Sequence, residues 1–280
     1  MVHAFLYKAS HQQLIDLDPQ RSDRSSRAWA INGRGRVAGD ITAGGASLHP
    51  ALFRRGQVID LGAVPALYAS AVGINDAGDV LIDSWGLPLP QHQGFLLHHG
   101  HVVALPISFV SGINDHHQVV GALGLPLSLQ AVSYRRGVLT PVGGSLAAQE
   151  TSARAVNARG DITGGFLGTD GLTGHAFLDR GGTATDLGTL PGGLVAAALA
   201  LNARDQVVGY AFDYSTTFVE RAFLYDARLD PPMRDLNELI PADSAIVLNR
   251  ATGINDNGII VGYGAVGGKF HAFALSPNPS

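Results

Sequence analysis

One phrase recurs six times along the chain and leaves it few folds to choose from. The pattern Ala/Gly-x-x-Asn-x-x-x-x-Val-x-Gly, more or less intact, appears at 28–39 (AWAINGRGRVAG), 71–82 (AVGINDAGDVLI), 110–121 (VSGINDHHQVVG), 153–164 (ARAVNARGDITG), 198–209 (ALALNARDQVVG) and 251–262 (ATGINDNGIIVG). Its asparagines, Asn32, Asn75, Asn114, Asn157, Asn202 and Asn255, stand 43, 39, 43, 45 and 53 residues apart. Self-similarity at a period of this size marks a repeat architecture, in which each unit buries its apolar surface against the next.

A second phrase falls between the copies of the first. It reads HAFLY at 3–7, HPALF at 49–53, QGFLL at 93–97, QAVSY at 130–134, HAFLD at 175–179, RAFLY at 221–225 and HAFAL at 271–275. Most copies lead through a short turn to a further apolar segment, such as LIDLD (14–18), VIDLG (58–62), VVALP (102–106) or ATDLG (184–188). Each unit therefore holds four short apolar segments, A and B on either side of the Asn turn, C in the second phrase and D after it. They run 4–7 residues, are rich in Val, Ile, Phe and Tyr, and are bounded by Gly, Asn, Asp and Pro, which is how strands read. The nearest competitor for a helix is the alanine-rich stretch 194–202.

The Asn-Asp-x-Gly link between A and B predicts a tight hairpin turn, with Asn and Asp bonding their own backbone and Gly supplying positive φ. Segments such as AFLY and QVVG are apolar throughout rather than alternately, so the sheets should be covered on both faces. Four short strands per unit and units of 40–53 residues predict an all-β chain, a β-propeller of six blades over 1–280 with a short tail at 276–280. Seven C phrases against six A–B pairs predict closure in one blade, in which 253–275 supply three strands and 14–18 the outer fourth. A seven-bladed or open arrangement is the alternative.

The phrases GINDxGxVVG, HAFLY and DLGTLPGG resemble the bacterial HAF repeat, most strongly at 175–209 and over nearly the whole chain. The third copy departs from it with QAVSY and the second with VLIDSW. The resemblance implies a propeller-like fold and secreted relatives, and it carries over no catalytic residue.

Composition narrows the function. A net charge of −4 supplies no basic stripe, so nucleic acid is not an expected partner. With 46% hydrophobic residues and no apolar run of membrane-spanning length, the chain reads as globular without a membrane span. It has no cysteine, which excludes disulfides, thiolate metal sites and a cysteine nucleophile. Residues 1–5 show no basic segment followed by an apolar core, so no secretory signal is expected in the chain as given, and the compartment is left open.

In an antiparallel blade the B–C loops and D–A crossings share one end, and here they are long and varied, so that end is the expected binding face. Its aromatic candidates are Trp85, Phe212, Tyr214 and Phe218, its carboxylates Asp83, Asp170, Asp213 and Glu220. The expectation is a recognition module for a carbohydrate, peptide or protein, with Trp85, Asp170, Asp213, Tyr214, Glu220 and Arg221 binding the ligand. No cofactor is expected. The alternative is a lyase, hydrolase or cyclase using Asp170, Asp213 and Glu220 as acid and base. Against it stand innermost strands that read Ala, Gly, Ile and Asn, with no Gly-x-Ser-x-Gly elbow and no phosphate loop.

Eleven histidines raise the question of metal. His3, His175 and His271 recur in register and so read as structural parts of the C strand. His98, His99 and His101 in one turn and His116 and His117 in the next are out of register, and both turns fall at the same end of the blades. A nitrogen-rich cation site is geometrically open to them, but no carboxylate partner can be placed from the sequence, and no metal site is assigned.

Overall fold

The segments read as strands are strands in the computed structural model, which describes residues 2–43, 47–54, 56–62, 64–86, 92–125, 128–146, 148–212 and 220–277. They fall into two units, Met1–Gly121 and Ala122–Ser280. In the first, β1 (Phe5–Lys8) and β2 (Gln13–Asp16) form a hairpin. Next come β3 (Ser26–Ile31), β4 (Val37–Ala43), β5 (Ser47–Arg54) and β6 (Gln57–Asp60), each antiparallel to the strand before it. The same order repeats in β7 (Tyr68–Ile74), β8 (Val80–Trp85), β9 (Gln93–His98) and β10 (His101–Ala104). β11 (Phe109–Ile113) follows, and the boundary between the units falls inside β12 (Val119–Leu123).

The second unit continues with the pair β13 (Gln130–Arg135) and β14 (Val138–Pro141). Two full A–B–C–D sets follow. They are β15 (Ala148–Val156), β16 (Ile162–Gly168), β17 (Gly174–Arg180) and β18 (Thr183–Gly188), then β19 (Val195–Leu201), β20 (Val207–Phe212), β21 (Arg221–Tyr225) and β22 (Met233–Asp235). The unit ends on β23 (Val247–Ile254), β24 (Ile260–Val266) and β25 (Lys269–Leu275). The alanine-rich stretch is strand β19, because its small side chains pack between sheets: Ala196 and Ala198 are buried with Phe223 and Leu190. In the first unit Ala38, Ala71, Ile82 and Phe95 fill the equivalent layer.

The recurring Asn does more than turn the chain. Its Oδ1 accepts from the backbone N–H groups that close the A–B link, as Asn75 does from Gly78 and Asp79, both at 2.9 Å. Its Nδ2 donates to the carbonyl of the next Asn: Asn32 to Asn75 and Asn75 to Asn114 in the first unit, Asn157 to Asn202 and Asn202 to Asn255 in the second. These side chains are buried, so losing one strands several polar groups, at a cost of about 1–3 kcal/mol. The following Asp differs from expectation. It does not bond its own turn; Asp76 accepts from Gly33 N–H, Asp115 from Asp76 N–H and Asp256 from Ala203 N–H, each at 2.7 Å and each in the preceding repeat. The Gly of the Val-x-Gly phrase is set by close approach, since a Cβ on Gly39 or Gly121 would lie about 2 Å from the carbonyl oxygen of Arg27 or Phe109.

The expected closure by shared terminal strands is not formed. β2 pairs with β1, where His3 Nδ1 and Asp16 Oδ2 lie 2.8 Å apart, and β25 is the edge of a three-stranded sheet. The first HAF phrase thus brings its own D strand. No helix among the described residues is long and apolar enough to cross a membrane.

Candidate functional site

The sequence-predicted binding residues that are described fall in separate settings. Trp85, the last residue of β8, stacks on Tyr68 at 5.9 Å and on His92 at 5.6 Å, and His92 lies 4.3 Å from Phe109. His92 ties this aromatic row to Asp83. The carboxyl of Asp83 meets His92 Nδ1 at 3.0 Å through Oδ2, while the Val110 backbone N–H approaches the carboxyl and its buried Oδ1 makes no well-aligned hydrogen bond among the described residues. Burial raises the Asp83 carboxyl to about 6, against the opposing pull of His92. Asp40, at the equivalent place one repeat earlier, is fully engaged by Arg27, Trp29 and Ser70.

In the second unit Asp170 caps its own turn, accepting from the N–H groups of Leu172 and Thr173 at 3.0 Å, which lowers its carboxyl. Both oxygens of Glu220 accept from Arg250, whose guanidinium lies 4.0 Å over the ring of Tyr210. Arg221 donates to Asp235 at 3.2 Å and to Pro191 O at 3.0 Å. Glu220 and Arg221 adjoin, but each is committed to a different partner, and Asp170 shares none of them. Asp213, Tyr214 and Phe218 lie outside the described residues.

The first cluster that the sequence left incomplete is built on histidine. Asp79, just after the Asn75 turn, has its two oxygens 2.7 Å from His98 Nδ1 and 2.6 Å from His117 Nδ1. Asn75 Nδ2 donates to the same carboxylate at 2.9 Å. Burial would raise the Asp79 carboxyl, yet the bonds from Asn75, His98 and His117 outweigh it and hold it below the usual carboxylate range. Asp79 is the carboxylate that could not be placed from the sequence. The His99 ring meets the His98 ring at 4.1 Å, and His101 faces His98 across the β9–β10 register.

The second is the outer edge of β25. Where a D strand carries Asp, the C strand begins with His or Arg. The pairs are His3–Asp16 at 2.8 Å, His49–Asp60 at 3.0 Å, His175–Asp186 at 2.9 Å and Arg221–Asp235 at 3.2 Å. Where the D strand has Ala104 or Pro141 instead, the C strand begins with Gln93 or Gln130. The register is constant. An apolar residue faces the fifth C position (Leu14 with Tyr7, Val58 with Phe53, Met233 with Tyr225), the Asp comes two residues later, and the next residue donates back to the C strand, as Leu17 does to Ala4 O and Leu61 to Pro50 O. β25 has the His, His271, but no D strand. His271 is exposed without a partner among the described residues, Phe270 is 72% exposed, and a cavity of about 440 Å³ lined by Leu236, Leu239, Ile240, Ile260 and Pro277 reaches Leu275 at the strand's end.

No protein-family model matches the chain, and no curated protein matches it in sequence. Solved structures do resemble it in fold. The β-propeller domain of the Trilobed protease from Pyrococcus furiosus matches with a TM-score of 0.56 and 8% identity, over 89% of this chain and 81% of that one. TolB from Acinetobacter baumannii matches at 0.56 and 12% identity, over 86% of this chain and 61% of that one. Pyrococcus horikoshii acylaminoacyl peptidase matches at 0.54 and 10% identity over 89% of this chain, which spans 44% of the peptidase. At such low identity these likenesses speak to architecture alone: the chain is all-β and its fold is of the β-propeller kind.

Proposed function

We propose that the chain is a non-catalytic recognition module of six repeat units, a propeller of the bacterial HAF-repeat kind, and that it binds an extended segment of a partner protein along β25. The observation that supports this is the unmatched His271. Among the described residues six D strands serve seven C strands, and each His- or Arg-led C strand with a D strand has an Asp beside it. The ligand is therefore a strand of pattern apolar-x-Asp-apolar, its first residue opposite Leu275 and its Asp opposite Phe273 beside His271. Strand addition of this kind draws affinity from the backbone and specificity from alternate side chains. The propeller of the Trilobed protease is described as having an open velcro topology, and separate terminal sheets fit the same reading for this chain.

A labelled peptide of residues 183–190, TATDLGTL, tests the proposal by fluorescence anisotropy. Saturable binding is expected, weakened about tenfold when its Asp is Asn or when the protein carries His271→Gln, as for a lost charge-assisted hydrogen bond of about 1.5 kcal/mol. Equal binding of the Asp and Asn peptides would overturn it, as would a concentration-dependent dimer that occupies the edge.

Asp83 favours a second reading, an acid–base enzyme of the hydrolase or lyase class. A buried carboxyl raised to about 6, with an adjacent imidazole, is suited to proton transfer near neutral pH. Trp85 would then stack on a ring of the substrate. Glycosidic substrates screened with the wild type and Asp83→Asn decide it: turnover abolished by the substitution supports catalysis, and no turnover by the wild type removes it.

A further inference from the structure

We propose that Asp79, His98 and His117 form a binding site for one divalent cation of borderline character, with zinc as the best fit. Three ligand atoms, one from each residue, lie within 4.8 Å of one another. Two imidazoles and one carboxylate suit zinc, cobalt or nickel rather than calcium or magnesium, which take oxygen ligands. A cation about 2.0–2.2 Å from each ligand needs them about 3–3.5 Å apart. His98 meets Oδ1 and His117 meets Oδ2, so a cation shared by the two imidazoles draws on both carboxylate oxygens, and the contacts of 2.7 and 2.6 Å open by less than about 1 Å, as the half-exposed rings permit.

The carboxylate is already held for that task. Its neighbour Asn75 donates to one oxygen and accepts from the Asp79 N–H, so the anchor is fixed from both sides. Among the described residues no lysine or arginine bonds Asp79; it faces two imidazoles. Three protein ligands leave coordination positions for water or a bound group, the pattern of a reactive rather than a purely structural zinc.

The independent sign is backbone strain at His117. The third residue after the repeat Asn is Gly35, Gly78, Gly160 or Gly258 in four of the six turns, and each has positive φ. His117 occupies that place at φ 57°. A side chain is disfavoured there, and a strained non-glycine residue that reaches a buried carboxylate points to a role beyond turning the chain. The other non-glycine residue at this turn position is Asp205 at φ 61°, which pairs with Arg159 and Arg180.

The test uses the full chain without a histidine tag, with zinc chloride titrated calorimetrically and cobalt(II) followed by its visible absorption. The expected result is one equivalent bound, with a cobalt spectrum of low coordination number. His117→Gly restores the glycine of the other turns, so it should keep the metal-free melting temperature within a few degrees while weakening binding at least about tenfold. Joint replacement of His99, His101 and His116 by Ala should leave affinity and stoichiometry unchanged. No saturable binding by the wild type, or binding that survives His117→Gly and disappears in the triple variant, would overturn the assignment.

Discussion

The same three repeat positions are filled in opposite ways in the two units. In the first they hold Asp79, His98 and His117; in the second they hold Asp161, Arg180 and Asp205. The second set is a surface ion network, with Arg159 donating to Asp161 and Asp205 and Arg180 donating to Asp205. Every formal charge there has an opposite. The first set buries its carboxylate, 4% exposed, under two groups whose charge depends on protonation or on a metal. One frame thus supports either a permanent arginine clasp or an adjustable imidazole pair, and the choice lies in side chains that the repeat leaves free.

The contrast can be broken most sharply at its anchors. Asp79→Ala strands the buried amide of Asn75 and takes the acceptor from two half-exposed imidazoles, and should cost about 2–3 kcal/mol in chemical denaturation. Asp161→Ala also takes the acceptor of the Asn157 amide from a carboxylate that is 14% exposed, but Arg159 keeps Asp205, so the loss should be smaller, about 1–2 kcal/mol. Equal losses would mean that burial does not separate the two corners.

A pH series sharpens it further. Asp83 has a folded value of about 6, raised from 3.8, so between those values the folded chain holds a proton that the unfolded chain has lost. Stability from this group therefore falls as pH rises from about 4 to about 6. At about 1.4 kcal/mol per unit the swing is about 3 kcal/mol, and Asp83→Asn should flatten it. Asp226 has the opposite sign, lowered to about 2 chiefly by Arg228, so its contribution is present above 3.8 and is lost as pH falls through about 2. The smallest effect is expected from the exchange His98→Arg with His117→Asp, which writes the second unit's corner into the first. Stability should stay within about 1 kcal/mol, while zinc binding disappears.

Strands and their order were legible in the sequence because the repeat states each one six or seven times, and a misreading of one copy is corrected by the others. The partners of the repeat's polar residues were not. Asp76 and Asp256 carry the signature of a local turn, yet their bonds go 43 and 53 residues back along the chain, a distance no turn motif encodes. Asp79 was hidden for a related reason: it sits in the turn position that holds Arg36, Gln118 or Gln206 elsewhere, and only the fold shows that His98 and His117 meet it there. The in-register histidines were read as structural, and His3 and His175 are so placed. His271 matches them in sequence and differs only in what is missing beside it. The pairing of His or Arg with Asp, and of Gln with its absence, was present in the sequence as an internal correlation between C and D strands. The loop carboxylates show the limit from the other side, since Asp170 and Glu220 look free in sequence and are bound to Thr173 and Arg250 in the fold.

The most direct measurement is the titration of His271 by NMR, alone and with the peptide of residues 183–190. His3, bonded to Asp16, is raised above the ordinary histidine value by that bond. The account predicts that the His271 midpoint moves upward when the peptide is bound, relative to the same resonance without it. It also predicts that the Asn version of the peptide leaves it unmoved. A His271 resonance that titrates identically with and without the Asp peptide would contradict the claim that β25 awaits an acidic strand.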